Sequence, residues 1–365
     1  MYVRSLLNGL AAVDRQSEYL AYVSTAGVEN LIPPSVATRH VSSNPFVRLG
    51  IDLPRRVRVD KPDVLHVQFT GPLFSHVPQV VSVHDVSFLE HPEYFTRERS
   101  IQLRMTVKRT VQRAVRVLTG TEFARESIIR AYKIDPEKVV TIPIAANPLF
   151  RPLARDRALR EVRERLKTDS PFILSVGDLQ PRKNHIGLIQ AFDALVGTYP
   201  QIRHKLVFAG KDTWFSPQIR DAARKSRAAD RILFAGFVED EDLLRLYNAC
   251  ECFVFPSFYE GFGIPILEAM ACGRAVACSN TSSMPEVADG AAILFEPQSI
   301  GEIVRALADI LLDAGLRTRL ERLGLQRAAQ FTWNRTAERT LELYQYVGEA
   351  TRRSPEAVAV ASMRQ

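Results

Sequence analysis

From residue 79 onward, short apolar runs alternate with longer stretches of helical periodicity, and very few folds accept such a rhythm. In the first half, runs at 79–83, 115–118 and 138–142 read as strands, with helical stretches at 97–116 and 122–132 between them. The second half repeats the pattern, with runs at 172–176, 205–209, 232–235, 252–255, 275–278 and 291–295. These runs do not alternate with polar residues, as expected of strands covered by helices on both faces. Alternation of β and α over this length predicts parallel sheets joined by right-handed crossovers. A chain of 365 residues is too long for one ordinary domain. Two prolines within 147–152, followed by a charged stretch at 154–167, mark the expected boundary. The prediction is two doubly wound α/β domains, 1–150 and 151–330. Ligand sites are expected at the carboxyl ends of their strands. Residues 351–365 are small and polar, and a flexible tail is expected there.

The beginning breaks the rhythm. Val3, Leu6, Leu7, Leu10 and Val13 have helical spacing, so an amphipathic helix is expected at the outset, with no strand before it. A doubly wound sheet normally places its first strand at the centre, so that strand is missing from the expected order.

Composition removes several classes. No apolar run approaches the 18 or more residues of a membrane-spanning helix, and no secretory signal pattern opens the chain. Cys250, Cys252, Cys272 and Cys278 form no CxxC pair and sit in apolar contexts. Buried free thiols and a reducing, cytoplasmic compartment are therefore expected. Net charge is +7, and residues 1–150 carry +5 of it, from 19 basic and 14 acidic side chains. Only nine lysines occur, and arginine bias alone does not argue for a nucleic-acid partner.

Three segments could carry chemistry. After the run 252–255 comes Glu260-Gly261-Phe262-Gly263-Ile264-Pro265-Ile266-Leu267-Glu268, with Pro265 placed to open a helix. Gly261 and Gly263 permit close backbone approach to a ligand, and the helix start offers free N–H groups to a phosphate. Glu260 in the loop and Glu268, expected in the first helical turn, suit sugar hydroxyls better than phosphate. Alone, the segment also fits an ordinary Gly-rich turn. After the run 172–176 come Gly177, Asp178, Leu179, Gln180, Pro181, Arg182, Lys183 and Asn184. Arg182 can grip a diphosphate through two oxygens and Lys183 adds a point charge, although an exposed basic turn reads the same way. Walker and GxGxxG spacings are absent. His84-Asp85 follows the run 79–83, where a histidine can bond a sugar hydroxyl or serve structure alone.

Together these segments resemble the retaining nucleotide-sugar glycosyltransferases of family 4, which have the GT-B fold. The resemblance rests on His84-Asp85 with 88–95, on Gly177 with Arg182-Lys183-Asn184, and on the Glu-x7-Glu stretch continuing through Gly273. Residues 279–287 match as well. By that resemblance Arg182 and Lys183 bind the donor diphosphate, and Glu268 holds the ribose. Glu260 with the backbone of Gly261, Phe262, Gly263 and Ile264 holds the transferred sugar. Phe237 and Val238 line the base site, and His84 serves the sugar. No cofactor and no essential metal are implied. The donor is a GDP- or UDP-sugar, with GDP-mannose favoured, and the acceptor is a glycan or lipid-linked glycan of polysaccharide assembly. A return helix near 331–348 is expected to rejoin the first domain.

The family usually opens with a strand and a Gly-rich loop, and Met1-Tyr2-Val3-Arg4 looks like the middle of that unit. Full activity is therefore expected to need an upstream extension. Two alternatives follow: a degenerate nucleotide-sugar-binding protein, or a nucleotide-sugar hydrolase or epimerase. On the stretch 97–116, Leu103, Val107, Val111 and Ala114 form an apolar stripe. Arg97, Arg104 and Lys108 flank it, and Arg109, Arg113 and Arg116 form another row. That face is either solvated or a peripheral contact with the inner membrane leaflet.

Overall fold

A computed structural model describes residues 2–166 and 170–353. The chain divides into two compact units, one holding residues up to Ile144 and again from Thr332, the other Ala145–Phe331. The described chain opens on the helix Tyr2–Val13, and the return helix is Trp333–Arg353. The tail expected at 351–365 lies, beyond residue 353, outside the described residues.

The first unit contains β1 (Tyr19–Val23), β2 (Val36–His40), β3 (Leu65–Gln68), β4 (Gln79–Ser82), β5 (Arg116–Thr119) and β6 (Val139–Thr141). All pairings are parallel, but the ladder is broken into β1-β2 and β3-β4-β5-β6. The break falls where a doubly wound sheet carries its first, central strand. Val81, Val107, Val111 and Val117 are fully buried and pack the sheet against the helix Arg97–Arg113. That helix is shorter than the periodicity at 97–116 suggested. Ala114 is already extended, and Arg116 belongs to β5 rather than to a helical row.

The second unit contains β7 (Phe172–Val176), β8 (Lys205–Ala209), β9 (Ile232–Gly236), β10 (Cys252–Phe255), β11 (Val276–Ser279) and β12 (Ile293–Phe295). Its six-stranded parallel sheet has the order β12-β11-β10-β7-β8-β9. Chain direction across the sheet reverses between β7 and β10, a switch point whose two outgoing loops diverge and leave a crevice. Fully buried Ile173, Leu188, Phe192, Leu206, Val254 and Leu307 form part of its core. All four cysteines are buried free thiols.

Candidate active site

The switch point brings together two segments far apart in sequence. One is the loop leaving β7, which carries Gly177, Arg182 and Lys183. The other leaves β10 and carries Glu260. Arg182 Nη1 lies 2.6 Å from Glu260 Oε2, and Lys183 Nζ donates to Oε1 at 2.7 Å. Arg182 also donates to the Tyr259 carbonyl at 2.6 Å and accepts from the Phe258 N–H at 2.9 Å, stitching the loops together. Lys183 Nζ stands 4.7 Å from the centre of the Phe255 ring. Burial opposes ionisation of Glu260, but the charges and hydrogen bonds of Arg182 and Lys183 outweigh it and hold the carboxyl at about 2. Burial pushes the Lys183 ammonium below its ordinary value, partly offset by Glu260. The three groups form one buried cluster with a net charge of +1, where the sequence had suggested separate roles.

Close packing makes this cluster possible. A Cβ on Gly210 would lie 2.0 Å from the Gly177 carbonyl oxygen, so the loop ends of β7 and β8 touch as only glycine allows. The Lys183 stem would stand 3.1 Å from a Cβ on Gly177. Ser282 Oγ accepts from the Glu260 N–H at 3.0 Å, and Ser283 Oγ donates to the Glu260 carbonyl at 2.9 Å.

Gly263 caps the helix Ile264–Ala271 with φ +97°, and Pro265 sits in its first turn. Glu268 lies in the second turn, one turn later than expected from the sequence, because the helix starts only at Ile264. Burial pushes its carboxyl up to about 7, with the Tyr247 hydrogen bond pulling the other way and Asp240 adding to the rise. Gly261 and Phe262 are buried, with Phe262 edge-on to Phe331 at 5.9 Å. Beyond β9, Phe237 is 53% exposed while Val238 is buried. Lys211 Nζ stands 4.5 Å over the Phe237 ring, and the Lys211 N–H donates to Asp178 Oδ1 at 3.1 Å.

His84 belongs to the first unit, just beyond β4. Its Nε2 lies 3.0 Å from Gln68 Nε2, and the rings of Tyr2 and Phe69 meet it edge-on at 4.7 and 5.6 Å. Burial depresses its basicity, with Asp85 partly restoring it. Asp85 stands just before the short helix Ser87–Glu90 and accepts from the Ser87 N–H at 2.9 Å. Sequence reasoning missed Tyr247, Lys211 and the two serines. Serines 282 and 283 could have been suspected, because they fall in the matching segment 279–287.

Two parallel α/β units of this kind in one chain are the GT-B architecture. Solved structures share it: HepE of Anabaena, in complex with UDP and glucose, superposes with a TM-score of 0.74 at 17% identity, covering 94% of this chain and 95% of that one. That likeness shows the fold. The family model "Glycosyl transferases group 1" matches residues 156–344, and "Glycosyltransferase Family 4" matches residues 2–148. An O-antigen chain mannosyltransferase B of Escherichia coli is 32% identical over 265 residues, 73% of this chain and 69% of that protein. A D-inositol 3-phosphate glycosyltransferase of Streptomyces bingchenggensis is 26% identical over 94% of this chain and 83% of its own length. The chain therefore belongs to the family 4, group 1 glycosyltransferases. It also matches the serotype-specific mannosyltransferase WbdA of Escherichia coli at 32% identity, spanning 29% of that larger protein. Among the described residues no helix is long and apolar enough to cross a membrane.

Proposed function

We propose that this glycosyltransferase moves a hexose, mannose by preference, from a nucleoside-diphosphate sugar to a growing glycan, with retention at the anomeric carbon. The observation that carries the reading is the buried Arg182–Glu260–Lys183 cluster at the switch point. Arg182 and Lys183 are assigned to the donor diphosphate, whose charge grows as the glycosidic bond to the sugar breaks. Binding of the diphosphate would draw both cations away from Glu260 and free that carboxylate for the sugar hydroxyls. The backbone from Gly261 to Ile264 follows the same sugar. Glu268 is assigned to the ribose and Phe237 with Val238 to the base. His84, whose basicity burial depresses, is assigned a hydrogen bond to the transferred sugar. This reading places positive charge at the leaving group without invoking a metal.

The test begins with thermal shift against a panel of nucleotide sugars. A donor at 100 times its Kd adds about 2.7 kcal/mol, or roughly 5–10 °C for a unit of this size. GDP-mannose is expected to give the largest shift. Release of nucleoside diphosphate should then require a glycan acceptor. Release without acceptor would indicate a hydrolase, and binding without release a degenerate site.

The proposed acceptor is lipid-linked, presented at the inner leaflet. Supporting this, the first unit exposes Phe46, Ile51 and Phe74, and the helix Arg97–Arg113 exposes Ile101 and Met105 one turn apart. Arg109 continues that row with its guanidinium 5.8 Å over Phe74, and its side chain and that of Arg113 donate to the Leu73 carbonyl at 2.7 and 3.1 Å. Apolar tips among cations suit an anionic bilayer, at about 1 kcal/mol per cation near the surface. Flotation with vesicles containing phosphatidylglycerol is expected, with loss at high salt and in the Phe74→Ser/Met105→Ser variant. Equal recovery with neutral vesicles would remove the electrostatic part of this claim.

A further inference from the structure

Glu260 and Glu268 stand at the two ends of one motif, yet their surroundings are opposite. Glu260 is clamped by two cations. Glu268 is equally buried, but among the described residues no cation pairs with it. Its one hydrogen-bond partner is Tyr247, whose hydroxyl donates to Oε2 at 2.9 Å. Tyr247 comes from the helix Asp240–Ala249, has no exposed surface, and is wedged edge-on against Phe253 at 5.4 Å and Phe150 at 5.5 Å. The hydroxyl has nowhere else to go, because the ring is fixed on both sides and its polar end points at the carboxylate. A carboxylate in such surroundings, with one hydrogen bond and no cation, is poorly compensated, and its second oxygen is not among the enclosed unpartnered atoms, so it is the one left open to a ligand. Such a group is retained where a ligand supplies the missing donors.

We infer that Tyr247 is a positioning residue for the donor nucleotide: its buried hydroxyl fixes one oxygen of Glu268 so that the other is presented to the vicinal hydroxyls of the ribose. This rests on the assignment of Glu268 to the ribose. A vicinal diol donates two hydrogen bonds, so it prefers the carboxylate over the carboxylic acid. Nucleotide binding and loss of the Glu268 proton are then linked, and donor affinity rises with pH through the range where that proton leaves. Four titratable groups face this arrangement. Tyr247 and Asp240 lie on one helix, while Cys272 caps the end of the helix that carries Glu268 and Cys250 caps the end of the Tyr247 helix. All are neutral or acidic, so none but the Tyr247 O–H favours the ionised form. Removing that hydroxyl should move the linkage to higher pH while leaving the ring's packing in place.

The experiment measures the Kd of UDP and GDP by calorimetry from pH 5.5 to 9 for the native chain, Tyr247→Phe, Glu268→Gln and the double variant. The native affinity should rise tenfold per pH unit on the acid side and level off at a midpoint. Tyr247→Phe should move that midpoint up by about one pH unit and weaken binding near neutrality by roughly tenfold, with most of the loss recovered at pH 9. Glu268→Gln should bind weakly at every pH, and adding Tyr247→Phe to it should change nothing further. A Tyr247→Phe loss that is uniform across pH would mean packing alone and would overturn the inference. An unchanged Kd in Glu268→Gln would instead overturn the ribose assignment itself. If Tyr247→Phe fails to fold, carboxyl carbon NMR of the native chain decides. Saturating UDP must lower the Glu268 titration midpoint, and an unmoved midpoint rejects the proposal.

Discussion

Replacing Glu260 with alanine is expected to lower the melting temperature by roughly 10 °C and to reduce transfer by about a hundredfold to a thousandfold. The Arg182 and Lys183 side chains are 17% and 12% exposed, and both lean on the one carboxylate. Removing it leaves two desolvated cations facing each other, and breaking a buried pair from one side costs about 3–5 kcal/mol. For a unit of this size each kcal/mol is worth roughly 2–4 °C. UDP or GDP should restore much of the lost stability, because a diphosphate supplies the missing negative charge. A variant that melts with the native chain in the absence of nucleotide would show that the cluster contributes little. In the native chain the Glu260 carboxyl sits far below its unfolded value, so its contribution is complete above about pH 4.5. It fades as the pH falls toward 2. Acidification and Glu260→Ala should therefore destabilise the same unit.

Glu268→Gln should do the reverse, stabilising the chain while removing donor binding. Burial raises the Glu268 carboxyl to about 7, above its unfolded value of 4.5. The folded state thus holds this proton more tightly than the unfolded chain does. The resulting stability is present below about pH 4.5 and is lost as the pH rises through 7. At pH 8.5 the native fold carries a buried carboxylate without a cation, a cost of about 3 kcal/mol from the difference between the two values. Glutamine keeps the shape and removes the charge. Urea denaturation should find the variant more stable than the native chain by about that amount at pH 8.5, and close to it at pH 5. An equal gain at both values would mean that the carboxylate charge is not its source. The trade follows a general rule: a site poised to receive a ligand is not the arrangement that stabilises the empty protein best.

The sequence was legible where a single physical signal sufficed. β7, β8, β10 and β11 are buried along nearly their whole length, so continuous apolar runs announced them. β1, β2 and β3 are half-exposed, and their mixed polar and apolar residues gave no run to find. The ends of the Arg97–Arg113 helix and of β5 were blurred because Val115 and Arg116 extend the apolar and basic rows without extending the helix. At the site, each motif was readable but its partner was not. Lys183 and Glu260 meet because β7 lies beside β10, a fact of sheet order that no local pattern carries. Tyr247 was invisible for a different reason. It occupies an apolar position of an ordinary amphipathic helix, 21 residues before the carboxylate its hydroxyl reaches. Burial of its ring accounts for the residue so well that nothing in the sequence singled out its oxygen.

The division of the chain also bears on the order in which the protein is made. The second unit is one continuous segment, whereas the first is closed by its own last helix. Trp333 packs on Tyr2 at 5.9 Å, Thr336 donates to the Pro143 carbonyl at 2.7 Å, and the Tyr344 hydroxyl bonds His66. A ribosome adding roughly 5–20 residues per second needs on the order of 10–40 s to cross the intervening segment. Through that interval the nascent first unit lacks the helix that covers Val80 and Leu118, while the second can complete its core as soon as it emerges. The first unit is thus completed only after the second has been synthesised, and for that time the apolar face around Val80 and Leu118 lacks its cover.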